Sequence, residues 1–488
     1  NRGGDVGCWR AGRRWPRWGR GLGLGLLGWG LVGCVVGPEV EAPPMVVAAT
    51  YRSGSEGRGE SAANRPWEEV FRDEILQGLI VEALRGNQDL AGAVARVDQF
   101  RAGAKQQEAA LFPQVGLGGD AGVQGVRGGP PLTQRGGVGR YGLGLQMSWE
   151  VDLWGRLRRL NESARARFRQ QERLMEAVQV SLIGQVAQTY FVLAGLDEQL
   201  ALAKATIAAR ERALSIAEAR KEGGAISGLD LQRFVADVAS AKNQRLAIER
   251  GVAQTENLLS LLLGRNPGPV KRGRDPLSGP LAGTLPPGLP AELLRRRPDV
   301  LAAEQALVAA NAEIGAAIAN QFPRVSLEAT LGLASPNLLQ TVGGLLQLDQ
   351  YVFDGGARAA EVELRRAVFR EAHAGYVKTV LGAVREVEDA LVAFRTFRSQ
   401  IAELERQVGS LSTALGLAQA RYEAGVSSYL EVVNAQQELF GAQLGLAEAR
   451  AQRAVAYASV YQALGGGWSA GPAQAAEGVG GGRSAVRR

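Results

Sequence analysis

Tyr141-Gly-Leu-Gly-Leu-Gln-Met-Ser-Trp-Glu-Val-Asp-Leu153 alternates without a break: Tyr141, Leu143, Leu145, Met147, Trp149, Val151 and Leu153 on one face, glycine or polar residues on the other. Period two is the signal of a β-strand, and these 13 residues exceed the roughly 9–11 that a tilted strand needs to cross a bilayer. Before it, Val115, Leu117, Gly119, Ala121 and Val123 alternate with Gln114, Asp120 and Gln124. Far downstream, Val325, Leu327, Ala329, Leu331 and Leu333 alternate with Arg324, Ser326, Glu328, Thr330 and Gly332. A fourth strand is expected between Leu345 and Phe353, where alternation is poor. The sequence therefore predicts strands near 113–125, 140–153, 323–334 and 345–354. Such hairpins could also be half of a soluble sandwich, since alternation alone does not separate the two. Against a sandwich, no further strands exist for the apolar faces to pack on. Four strands cannot close a barrel, and open edges are not tolerated in lipid, where backbone groups find no water. The missing strands must come from other copies of the chain; the smallest bacterial barrels have about eight.

The two hairpins belong to an internal duplication. Shifted by 210 positions, Glu82 to Leu117 matches eleven of 36 residues, among them Leu84 on Leu294, Asp89 on Asp299, Phe112 on Phe322 and Pro113 on Pro323. Shifted by 201, Arg220-Lys-Glu-Gly-Gly-Ala-Ile-Ser-Gly-Leu229 matches Arg421-Tyr-Glu-Ala-Gly-Val-Ser-Ser-Tyr-Leu430. Repeats of this kind need their neighbours to bury a core. The unit is helix, strand hairpin, long helical hairpin. No proline lies between Pro131 and Pro267 or between Pro336 and Pro472. Gly155 to about Arg220 reads as one helix on Val178, Leu182, Val186, Tyr190, Leu193, Leu196 and Leu200, and its counterpart after Gly356 on Val377, Val380, Val384, Val387, Leu391 and Phe394. At 1.5 Å per residue each is on the order of 100 Å long. Turns are expected at Gly224 and Gly425, where glycine permits the left-handed conformation that ends a helix, with return helices from Leu229 to Leu263 and Leu430 to Leu464. Shorter helices, Glu74 to Leu111 and Asp299 to Gln321, precede the strand pairs. The apolar stripes are thin and alanine-rich, which suits a hollow helical cylinder below the strands; a solid coiled-coil bundle is the alternative.

The formal charge is +7, but residues 1–33 hold six arginines and one aspartate, leaving 50 basic and 48 acidic residues mixed along the helices. No basic stripe for nucleic acid is present. Arg10, Arg13, Arg14, Arg17 and Arg20 precede an apolar run from Gly21 to Gly33, which reads as a secretory leader ending in Leu31-Val32-Gly33-Cys34. Those four residues resemble the bacterial lipoprotein lipobox, which implies that Cys34 becomes the acylated first residue of the mature chain; a small buried apolar role is the alternative. Cys8 leaves with the leader, so no disulfide or thiol metal site is expected. The single histidine, His373, has no partner in evidence, and neither glycine-rich turn carries a Gly-Lys-Ser/Thr phosphate cradle. No enzyme activity, cofactor or metal is expected, apart from the covalent lipid on Cys34. The domain reading is a signal peptide 1–33, an acylated extended segment 34–65, a first repeat 66–266 with helical hairpin 155–263, a proline-rich linker 267–290, a second repeat 291–468 with hairpin 356–464, and a glycine- and alanine-rich tail 469–488.

These segments together resemble the outer-membrane efflux proteins of the TolC and OprM type, in the lipoprotein branch often labelled NodT. The resemblance is carried by Cys34-Val-Val-Gly-Pro38, Pro66-Trp67 with Phe71 and Asp73, Trp149-Glu-Val-Asp-Leu-Trp-Gly-Arg156, Arg297-Pro-Asp-Val300, Phe353-Asp-Gly-Gly356, Arg421-Tyr-Glu-Ala-Gly425 and Ala463-Leu-Gly-Gly-Gly-Trp468. It implies a mainly α fold with a membrane β-barrel contribution: a homotrimer whose twelve-stranded barrel, in outer-membrane lipid, stands over a periplasmic tube of twelve helices. It implies a passive duct working with a periplasmic adaptor and an inner-membrane pump of the RND class. A type I protein-secretion duct and a periplasmic adaptor are the alternatives. The adaptor is expected at the hairpin tips, Arg220, Gly224 and Ser227 with Arg421, Gly425 and Ser428. By the same resemblance Leu430 is an apolar constriction and Tyr422 joins the contacts that keep it narrow. Asn434 stands where relatives often carry an aspartate, leaving Glu431 as the nearby charge.

Overall fold

In the computed structural model the described residues are 35–39, 48, 50–52, 64–125, 137–273, 275–277, 290–334 and 339–466. Residues 1–33, read above as a signal peptide, Cys34 and residues 469–488 lie outside them, as does part of the 267–290 stretch expected to be a linker. In chain order the elements are α1 (Trp67–Val70), α2 (Glu74–Gly86), α3 (Gln88–Ala109), β1 (Gln114–Gly125), β2 (Gly137–Val151), α4 (Arg156–Glu222), α5 (Gly228–Leu262), α6 (Pro290–Arg296), α7 (Pro298–Ala319), β3 (Arg324–Ala334), β4 (Leu339–Asp349), α8 (Ala357–Glu423) and α9 (Tyr429–Ala463).

The strands form one antiparallel sheet in sequence order, β1-β2-β3-β4. Register joins the apolar residues into one face, because directly opposed residues project to the same side. Across it run Leu117 opposite Leu145, Leu145 opposite Leu331, and Leu331 opposite Val342. Two rungs lower on the same face, past Met147, Ala329 and Gly344, Trp149 pairs with Leu327 and Leu327 with Leu346. The fourth strand departs from expectation: it starts at Leu339 and ends at Asp349, earlier than 345–354. It does alternate, Val342, Gly344, Leu346 and Leu348 lying on the apolar face, but Leu345 opposite Glu328 breaks the contrast.

Each strand pair feeds a long helix, and capping groups fix the joints. Gly155 and Gly356 take positive φ, 81° and 88°, immediately before the two long helices. Asp152 accepts from the Leu157 and Arg158 amides (3.1 and 2.9 Å), and Asp354 from those of Gly356 and Arg358 (2.9 and 3.2 Å). A carboxylate on the first free N–H groups also complements the helix dipole, which explains both Asp-containing motifs. Trp149 Nε1 donates to the Leu111 carbonyl at 3.0 Å and Trp154 Nε1 to that of Pro323 at 2.8 Å, tying β2 and the turn after it to the chain just beyond both shorter helices.

The single helix expected from Glu74 to Leu111 is two helices broken at Asn87, whose backbone is extended (φ −67°, ψ 128°). Its side chain accepts from the Leu90 amide at 3.0 Å, starting α3, and donates to the Leu262 carbonyl at 3.0 Å, covering the end of α5. The second copy solves the same joint differently. Arg297 donates to the Ala463 carbonyl at 2.9 Å at the end of α9 and pairs with Asp299 and Glu386, both at 2.7 Å.

Packing then arranges four columns. Near the sheet, α3, α4, α7 and α8 stand side by side below β1, β2, β3 and β4; farther down the row is α5, α4, α9, α8. The two 67-residue helices α4 and α8 run the whole height, while α3 with α5 and α7 with α9 fill the other columns in two pieces. Glu313 of α7 ties three columns together, accepting from Ser163 (3.1 Å) and pairing with Arg167 of α4 and with Arg365 of α8 (2.7 Å). The main core sits mid-height, around the buried Tyr190, Leu193, Leu259, Leu307 and Tyr461, with Phe71 edge-on to Tyr461 at 5.6 Å.

Candidate functional site

Both helical hairpins turn through a glycine at φ 73°, Gly224 and Gly425. In each, two amides beyond the helix end bond back to it: Ala225 to the Arg220 carbonyl (2.8 Å) and Gly224 to that of Lys221 (3.0 Å), then Val426 to that of Arg421 (3.0 Å) and Gly425 to that of Tyr422 (3.0 Å). This satisfies carbonyls a helix end leaves open. The return helices start differently. Ser227 Oγ accepts from the Asp230 amide at 3.1 Å and donates to its carboxylate at 2.7 Å, whereas Ser428 makes no side-chain cap. The tip of the second hairpin is therefore the less firmly built.

The structure brings Arg220, Arg421, Tyr422 and Glu431 together at the tips. The Arg220 guanidinium lies 5.7 Å from the Tyr422 ring centre, joining the two hairpins by a cation–π contact. Arg421 Nε and Glu431 Oε2 are 3.7 Å apart with both side chains more than half exposed, so this pair is worth about 0–1 kcal/mol. Leu430 is 43% exposed, and Glu431 and Asn434 are exposed as well. Leu430 and Asn434 share a face of α9, being four residues apart.

The opposite face of α9 carries the contacts that sequence reasoning missed. Tyr429 is buried and stacked on Phe234 of α5, ring centres 3.5 Å apart at 19°, with Tyr422 at 5.3 Å. Ala217, Val432 and Val433 complete this cluster. Burial pushes the Tyr429 hydroxyl well above the ordinary tyrosine range. One level up, Arg210 of α4 and Asp237 of α5 form a fully covered ion pair, Nη1 to Oδ1 at 2.8 Å. A legible signal existed for the pair: Ala203, Ile207, Arg210 and Ala217 follow the spacing of a buried seam, and a charge in such a register is out of place.

At the upper end, residues 35–38 lie against the strand-to-helix joint. The Val36 amide donates to the Trp154 carbonyl at 3.3 Å, Arg159 reaches the carbonyls of Val36 and Gly37, both at 3.3 Å, and Asn311 reaches that of Pro38 at 2.7 Å. Gly37, at φ 117°, could not carry a side chain, since a Cβ would stand 2.5 Å from the Gly315 Cα. Among the described residues, no group of three or more His, Cys, Asp or Glu is arranged to hold a metal.

A family profile described as outer membrane efflux protein matches residues 79–265 and 289–466. The chain is 34% identical over 456 residues to a protein of Pseudomonas putida named toluene efflux pump outer membrane protein TtgF, covering 90% of this chain and 95% of that one. It is 33% identical over 454 residues to outer membrane protein OprJ of Pseudomonas aeruginosa, covering 90% and 94%. Its fold is similar to that of the outer-membrane channel OprN, with a TM-score of 0.82 and 29% identity over 89% of this chain and all of that one.

Proposed function

This chain belongs to the outer membrane efflux protein family and is an outer-membrane efflux channel; from that premise we propose that three copies close into one continuous duct. The observation that carries this reading is a wall with two raw edges. The sheet ends on β1 and β4, and the helical rows below end on α3 and α5 at one side and on α8 at the other. The apolar face of the sheet is bare, with Leu117 at 70%, Val342 at 79% and Leu346 at 66% exposure. A bare apolar sheet this wide belongs in lipid, and its edges must be paired there. Three four-stranded sheets give a barrel of twelve strands, with β4 of one copy beside β1 of the next and α8 beside α3 and α5.

The efflux names of the relatives favour a pump duct over a protein-secretion duct. Substrate would move passively from periplasm to exterior, with an adaptor docked on Arg220, Gly224, Ser227, Arg421, Gly425 and Ser428 and an RND-type inner-membrane pump behind it. Leu430, Glu431 and Asn434 would narrow the lower end, held there by Tyr422. Opening is a shift between packed and separated hairpins, which the adaptor biases by binding one arrangement better. Residues 35–38 set Val35 against Gly155, where an added Cβ would be 3.0 Å from the Val35 Cα; acylation of Cys34 would thus place lipid at the level where strands become helices. Reading the mass of detergent-purified protein, and the current it carries in planar bilayers, tests the assembly. Three copies and a conducting pore are expected; a stable monomer without current would overturn the reading.

A further inference from the structure

Arg210 and Asp237 occupy a place where an apolar pair would pack. Above them Phe440 of α9 meets Ala203 and Ile248, and below them Tyr429 of α9 meets Phe234 and Ala217. The two charges interrupt an otherwise apolar seam between the first hairpin and α9, each only 4% exposed. Part of their cover comes from α9 of the second hairpin. The guanidinium lies 5.7 Å from the Phe440 ring centre, and burial raises the Asp237 carboxyl above the usual range while Arg210 and the Gln437 side chain of α9 pull the other way. Arg210 Nη1 also donates to the Asp237 carbonyl at 3.0 Å, but its Nε finds no acceptor among the described residues. The duplication supplies a control within the chain. Shifted by 201, the equivalent positions are Leu411, half-buried, and Glu438, exposed, so the second hairpin has no such pair.

A buried ion pair is costly to dehydrate, and exchanging it for apolar residues of similar volume often stabilises the packed state. When α9 lifts away, water returns to the pair and that cost is recovered. We propose that Arg210 and Asp237 are positioning residues that bias the two hairpins toward separation, offsetting the Tyr429–Phe234 stack so that the duct opens on modest contact with its partner. This rests on the channel reading above and refines it.

The test follows a cysteine placed in the seam, Ala217→Cys, at a position 2% exposed, in full-length protein in detergent. Its reaction rate with a sulfonate-bearing thiol reagent reports how often the hairpins part, with the parent chain subtracting any background. Combining Arg210→Met with Asp237→Leu should slow labelling about tenfold, equivalent to ~1.4 kcal/mol. Asp237→Asn alone should speed it by a similar factor, because an uncompensated cation remains beneath α9, and Asp237→Glu should restore a rate near the original. Helix melting followed by circular dichroism separates parting of the seam from loss of the fold. If the double change speeds labelling as the single one does, the pair is a brace and the proposal fails; equal rates in all variants also overturn it. Labelling needs no current, so a native protein that never conducts would defeat the channel reading alone.

Discussion

Tyr429 and Leu430 are neighbours in the chain with opposite surroundings, since successive helical residues point about 100° apart. Tyr429 holds α9 to the first hairpin, and Leu430 is exposed, where the reading proposed above sets it toward the lumen. Leu430→Ala is expected to raise single-channel conductance in planar bilayers without lowering the melting temperature, because a half-exposed side chain gives up little burial. Tyr422→Ala should raise conductance by another route, removing the ring that meets Arg220 and Tyr429. Unchanged conductance in both would remove the gate from this end of the duct. Glu431→Gln separates charge from structure. Its pair with Arg421 is too exposed to matter for stability, so thermal unfolding should not move, whereas cation over anion preference, read from reversal potentials across a salt gradient, should fall.

Among the elements, the two copies reach one joint by different means. Asn87 stands 210 positions before Arg297, and Leu262 stands 201 before Ala463, the same two shifts that relate the repeats. Each side chain closes the carbonyl end of a return helix. Asn87→Ala removes both the cap of α3 and the donor to Leu262, and should cost about 1–3 kcal/mol, seen as a lower midpoint in denaturant; Asn87→Asp should recover the cap but not the donor. The proline of Arg297-Pro298 made the second break readable in the sequence. Asn87 gave no such sign, because asparagine is tolerated inside a helix and its extended backbone comes from a tertiary contact. The same logic separates the strands. In β2 glycine and polar residues fill one face, whereas Gly343-Gly344-Leu345-Leu346 puts a small and a large residue on each face of β4 and erases the period on which the sequence reading relied. Helix ends were legible because they depend on local chemistry, Gly224 and Gly425 above all. The register of Arg210 marks a charge in a buried seam, but its pairing with Asp237 was not legible, nor was the Tyr429 stack, because each joins residues from different helices and the helical repeat alone does not say which residues meet across a seam.

For the whole molecule, the order of the columns decides which surfaces meet in an assembly. Helices α5 and α8 stand at opposite ends of the lower row, so within one copy they do not face each other. Each carries bare apolar residues: Val235 is 43% and Leu258 49% exposed on α5, Leu381 is 60% and Leu417 63% on α8. Val235 and Leu417 both lie about two helical turns above their tips, hence at one level. In a closed ring these two edges are adjacent between copies, and burying side chains of this size favours assembly by about 1.5–3 kcal/mol each when fully covered. A chain carrying Val235→Cys and Leu417→Cys, oxidised at low concentration, should run as a covalent trimer on denaturing gels, while either cysteine alone should leave monomers. Pairing of Leu417→Cys with itself, or cross-linking that stops at two chains, would mean that the edges meet in another order and that the wall does not close as a three-fold ring.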